Sequence, residues 1–143
     1  MNWKQEAMER LSRYELMLRA LENIPEELRR LELRSTTLRG IKLDTIRSST
    51  SPHRGEDALI NNFVKRQELQ KAYQDALIWV STTDKALSVL EPAEKEVLLH
   101  LYIHPVSGAL ETVCEKLGIE KSSAYRKRDA ALCRFTIALY GTQ

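Results

Sequence analysis

Between residues 121 and 134 the chain sets Lys121, Ser122, Ser123, Tyr125, Arg126, Lys127, Arg128 and Arg134 against a single acid, Asp129, a local charge of +4. These groups are hydrogen-bond donors suited to a polyanion: an ammonium acts as a point charge and a guanidinium as a planar fork. A second cationic stretch, residues 34–54, holds Arg34, Arg39, Lys42, Arg47 and Arg54 against Asp44. The whole chain of 143 residues carries only +2, so it is no polycation. Two basic patches on a near-neutral protein suit contact with a polyanion by selected surfaces. For residues 34–54, solvated charge on a plain linker is the expected reading, with polyanion contact as the alternative.

The elements that must position the first patch can be read from spacing. Leu110, Val113, Cys114 and Leu117 recur at helical intervals and share one face. Gly118 follows, where a left-handed residue closing a helix is wanted, and Ile119 offers an apolar anchor in the turn. A second helix then turns Ala124, Ala131, Leu132 and Phe135 inward, while residues 121–123 and 125–128 largely face out. That is a helix-turn-helix pattern, whose second helix enters the major groove of DNA. A preceding helix opens on Pro92, carries Val97, Leu98, Leu101 and Tyr102, and ends at His104-Pro105. The expected module is therefore three helices at 92–103, 109–117 and 121–139.

Other candidate chemistry is thinner. Glu96, His100 and His104 fall at successive i, i+4 positions. A zinc site wants three or four ligands and no further His or Cys stands close by, so an exposed polar strip is expected and no metal. Cys114 and Cys133 lack a spacing motif and read as reduced thiols at apolar positions. There is no Gly-rich phosphate loop and no nucleophile elbow, so neither an enzyme nor a cofactor is expected.

The composition is that of an all-α chain: Leu, Glu, Arg, Lys and Ala are prominent, with only 5 Gly and 4 Pro. Residues 2–24 place Trp3, Ala7, Leu11, Tyr14, Leu18 and Leu21 at heptad-like spacing. Pro25-Glu26-Glu27 marks a restart, which predicts a kink or short break near Asn23-Ile24. Residues 35–55 hold eight Ser and Thr together with Gly40, Pro52 and Gly55. They predict a flexible or partly ordered link with room for a short helical turn near 40–46. A long helix follows from Glu56-Asp57 to about Leu90, with Leu59, Phe63, Tyr73, Leu77, Val80 and Leu87 as its inward stripe. At ~1.5 Å per residue this rod is about 50 Å long, so it should pair with the N-terminal helix as a hairpin and offer leftover stripe to another chain. Trp3 and Trp79 are either filler in that hairpin or residues of such an interface. The expected division is 1–91, a helical hairpin with its link, and 92–143, the DNA-binding module. The opening Met1-Asn2-Trp3-Lys4-Gln5-Glu6 has no apolar core and the longest apolar run spans only 76–80. A cytoplasmic protein with no membrane contact is expected.

Over residues 90–139 the sequence resembles the region of bacterial sigma factors that reads the −35 promoter element. The resemblance rests on Leu90-Glu91-Pro92, Val97-Leu98, Leu101-Tyr102, Leu117-Gly118-Ile119, Tyr125-Arg126 and Ala131-Leu132. The whole chain is similar to the small sigma-like regulators of phages and prophages of the ArpU and RinA type. Residues 48–59 resemble the Ser/His/Gly-containing link of that type, and Ala138-Leu139-Tyr140-Gly141 its usual ending. One departure is Glu120, where such modules carry Ser or Thr, a better helix cap.

The resemblance implies a sequence-specific double-stranded DNA-binding regulator of late transcription. Base-reading positions would fall on Lys121, Ser122, Tyr125 and Arg126. Ser123, Lys127, Arg128 and Arg134 suit phosphate contact. The front half is expected to mediate a homo-oligomer, a dimer in the usual helix-turn-helix case, or to touch RNA polymerase. Two alternatives share the fold: a phage terminase small subunit, which would form a ring, and a helical protein-interaction adaptor.

Overall fold

The computed structural model describes residues 2–48 and 53–142, with the side chains of 41–48, His53 and Arg54 outside what it describes. The protein is all-α. The helices are α1 (Trp3–Ser12), α2 (Tyr14–Ser48), α3 (His53–Ser88), α4 (Pro92–Leu98), α5 (Ala109–Leu117) and α6 (Lys121–Tyr140). A π-helical turn, Leu99–Ile103, extends α4. By packing, the chain divides into two units, Met1–Leu18 with Ile78–Gln143, and Arg19–Leu77.

The first unit is built on a core of Ala7, Leu11, Ala86, Leu90, Leu98, Ile103, Ala131, Leu132 and Phe135. It draws on α1, the end of α3, α4 with its π turn, and α6. Leu11, Leu98, Leu132 and Phe135 are wholly buried, each contributing about 1.5–3 kcal/mol by leaving water. A second cluster, Val97, Val113 and Ala124, has Leu101, Leu110, Cys114, Leu117 and Ile119 packed around it. It fixes α5 and the start of α6 on α4. The division thus differs from the expected one at residue 91, and for a physical reason. Ala7 and Leu11 find their partners on the C-terminal helices, so the first helix packs with α6.

Trp3 packs against this core. Trp79 is half-buried under the Arg10 guanidinium, 4.6 Å from its ring centroid. Arg10 Nε also donates to Thr83 Oγ1 at 2.9 Å, and that hydroxyl donates to Trp79 O at 2.8 Å. Tyr14 Oη donates to Asp84 Oδ1 at 2.5 Å. Burial and then this carboxylate push the Tyr14 phenol up to about 12.

In the second unit, α2 and α3 meet where the buried Asn62 side chain donates to Leu31 O at 2.9 Å. Two expectations are corrected here. The link at 35–55 is helical as far as Ser48, and α3 begins at His53. Leu31, Ser35 and Leu38 are buried at helical spacing, so one packed face runs on through the Ser/Thr-rich sequence. Thr36 and Thr37 return their hydroxyls to Glu32 O and Leu33 O, both at 3.3 Å. The propensity deficit of Ser and Thr, roughly 0.5 kcal/mol each, yields to that packing. Residues 49–52 and the side chains of Lys42, Arg47 and Arg54 lie outside the described residues.

Of the expected kink or short break near Asn23-Ile24, a break is excluded, since α2 runs on through Pro25. Half-buried Leu21, Ile24 and Leu28 carry one face across the proline. The interruption falls earlier, at Arg13, whose N–H is shared between Glu9 O at 3.1 Å and Arg10 O at 3.3 Å.

Candidate nucleic-acid interface

Gly118 sets the geometry that presents α6. Its φ of 65° and ψ of 39° are left-handed, and its N–H closes α5 on Cys114 O. Ile119 follows, half-buried against the second cluster, so the chain is pinned on both sides of the turn. Glu120 is the residue before α6; it is extended and makes no side-chain cap bond. The first N–H groups of α6 therefore lack the hydroxyl cap that Ser or Thr would supply.

Ala124, Ala131, Leu132, Phe135 and Thr136 are the buried residues of α6. The other side displays the predicted site. Lys121, Ser122, Tyr125 and Arg126 are exposed, while Ser123 and Lys127 are half-buried. Lys121 Nζ lies 3.8 Å from Glu111 Oε1, a loose surface pair. Arg126 and Lys127 make no ion pair or hydrogen bond with any described residue. Ser123, Arg126, Lys127 and Arg134 line one groove of about 390 Å³ with Ile119, Ala130, Glu91 and Glu94. Tyr125 and Ser122 lie outside that groove.

Arg128 and Arg134 differ from the rest. Arg128 Nε and Nη2 donate to Asp129 Oδ1 at 3.1 and 2.9 Å, and only 26% of its side chain is exposed. Burial alone would weaken its charge, but Asp129 and the Tyr102 phenol outweigh that and raise its pKa. Asp129 is also 3.6 Å from Lys4 Nζ, which brings α1 to the same cluster. By sequence pattern Arg128 belongs among the outward residues. Its place four residues after Ala124 and three before Ala131 puts it at the edge of the buried stripe instead.

Arg134 Nη1 reaches Glu94 Oε1 at 3.3 Å and Glu91 Oε1 at 3.7 Å. The Glu94 side chain is only 4% exposed and also accepts the Glu91 N–H at 3.1 Å. Arg134 therefore ties α6 to the first turn of α4. Sequence reasoning missed Glu94, Asp129 and Tyr102 as supports of the basic face. The i, i+3 pair Glu91/Glu94 around Pro92 was the available signal for the first.

The polar strip on α4 is a structural link. Glu96 Oε2 takes Lys116 Nζ and His100 Nε2, each at 3.0 Å. The Lys116 bond, ahead of partial burial opposing it, holds the Glu96 carboxyl below its ordinary range. His104 Nδ1 lies 3.8 Å from Glu15 Oε1. Among the described residues no group of three or more His, Cys, Asp and Glu is placed to hold a metal, and no helix is long and apolar enough to cross a membrane. No family model, curated protein or solved structure matches the chain.

Proposed function

We propose that the protein binds double-stranded DNA by laying the first turns of α6 into the major groove. The α5–Gly118–α6 unit is read as a helix-turn-helix module. The observation that carries this reading is the pair Arg126 and Lys127. Neither has a partner among the described residues: Arg126 is exposed on the side of α6 opposite the fully buried Ala124, and Lys127 is half-buried at the flank. Unpaired cations on a rigid helix lose little conformational freedom when they meet phosphate, and Arg126 has the fork that matches guanine. Lys121, Ser122 and Tyr125 share the exposed tip and complete the base-reading set, with Ser123 and Lys127 directed to phosphate. Regulation of phage or prophage late genes, with RNA polymerase as a further partner, rests on the resemblance of the chain to the sigma-like regulators of the ArpU and RinA type.

The test is selection of genomic fragments by the purified protein, followed by titration of the selected duplex at several salt concentrations. Double replacement of Arg126 and Lys127 by Ala should weaken binding by about tenfold or more and flatten the log–log salt slope by about one to two. Binding that keeps both its strength and its salt slope after that change would overturn the reading.

A further inference from the structure

In the second unit α3 carries an outward stripe set apart from its buried side. Asn62 and Ala76 are buried, with Leu69 and Tyr73 half-buried beside them. Opposite, at intervals of three and four, come Asp57, Ile60, Val64, Gln67 and Lys71, all exposed. At about 100° per residue these five fall within one quarter of the helix circumference. Ile60 is 59% exposed and Val64 46%, with Phe63 at their flank 53% exposed. Adjacent branched aliphatics left in water on a helix whose other face is already packed form an apolar seam with no partner among the described residues.

The charges bounding the seam specify its occupant. It reads acid, apolar, apolar, amide, base, and neither Asp57 nor Lys71 pairs with a described residue. We propose that this stripe is the contact between two copies of the chain, joined antiparallel about a two-fold axis through Val64. That axis sets Asp57 of each copy against Lys71 of the other, brings Val64 to Val64, and lays each Ile60 along the aliphatic stem of the other copy's Glu68. The amides Asn61 and Gln67 come opposite one another under the same symmetry. A surface complementary to itself is what an isologous contact requires. Parallel pairing would instead set Asp57 on Asp57 and Lys71 on Lys71. The stripe spans about 21 Å, a short seam, so association is concentration-dependent rather than obligate. This makes specific the homo-oligomer expected from the front half, and it does not depend on DNA contact.

The test is sedimentation of the full chain without DNA, from low to high micromolar concentration. Wild type should pass from monomer to dimer. Val64→Asp should remove the dimer, with helicity checked by circular dichroism. Asp57→Lys and Lys71→Asp should each weaken dimerisation by about three- to tenfold. Mixing those two variants should restore it. At one end of the seam the introduced base then meets the introduced acid, and at the other the native Asp57 meets the native Lys71. The mixing result needs no core change and survives any folding defect of Val64→Asp. A wild type that stays monomeric throughout, or single charge variants that dimerise as wild type does, would overturn the proposal. Either result leaves the DNA reading standing, since no DNA is present.

Discussion

The Arg128 guanidinium stands 5.0 Å from the centroid of the Tyr125 ring, braced from behind by Asp129. The exposed phenol thus rests on a cation that is itself held in place, and Tyr125 enters any encounter already ordered. Arg128→Ala removes the brace. Stability should fall by about 1 kcal/mol, and affinity for the selected duplex about three- to tenfold through the freed Tyr125. Arg128→Lys keeps the charge but not the flat stack, so it should recover only part of the affinity. Melting curves and fluorescence anisotropy read the two effects separately; an Arg128→Ala variant with unchanged affinity would remove Tyr125 ordering from the account.

Arg134 should behave in the opposite sense. Its partner Glu94 is nearly closed off from water, so Arg134→Ala leaves a buried carboxylate short of one donor. The loss should be about 1–2 kcal/mol, kept below a full buried pair because the guanidinium is half exposed. DNA affinity of the folded fraction should change less than in the Arg126/Lys127 double variant. Thermal melting and anisotropy on the same samples make the comparison, and the reverse order would assign Arg134 to the phosphates.

Tyr14 gives a dependence on alkaline pH. Its phenol is raised from 10.0 to about 12 in the fold, so between those values the unfolded chain has lost a proton that the folded chain retains. Its contribution is complete below pH 10 and declines as pH rises through about 12. Tyr14→Phe should be less stable than wild type at neutral pH, having lost the bond to Asp84, and should lose less between about pH 10 and 12. Denaturant midpoints at stepped pH check this; parallel curves for the two proteins would contradict it.

Gly118 has a left-handed φ of 65°, and a methyl group added there would meet nothing within 4 Å. The cost of Gly118→Ala is then backbone strain alone, about 1 kcal/mol, and Gly118→Asn should cost less. If Ala proved neutral by chemical denaturation, the turn would have to adopt another conformation.

The sequence made the C-terminal helices legible because each has a short strong signal. Pro92 opens one, Gly118 closes another, and Ala124, Ala131, Leu132 and Phe135 announce the inner face of α6. The front half was harder to read for reasons that are also physical. Ser35–Thr37 and Pro25 are local discouragements, whereas burial of Leu31, Ser35 and Leu38 against another segment is a tertiary gain that periodicity does not weigh. Nothing in the spacing of Ala7 and Leu11 says that their partner is Phe135 rather than a neighbouring helix. At the candidate site, residue types on α6 were readable. The division of its cations into those without a partner among the described residues, Arg126 and Lys127, and engaged ones, Arg128 and Arg134, depends on Tyr102, Glu91 and Glu94, which reach them only in three dimensions.

The closure of Leu11 onto Leu132 and Phe135 also orders events in time. During synthesis α1 emerges well before α6, whose surface it needs, so its apolar side waits uncovered while the intervening helices are made. Pairing segments so far apart in sequence delays folding of that unit until α6 has been made, and arrest before α6 would leave a sticky α1 without its seat.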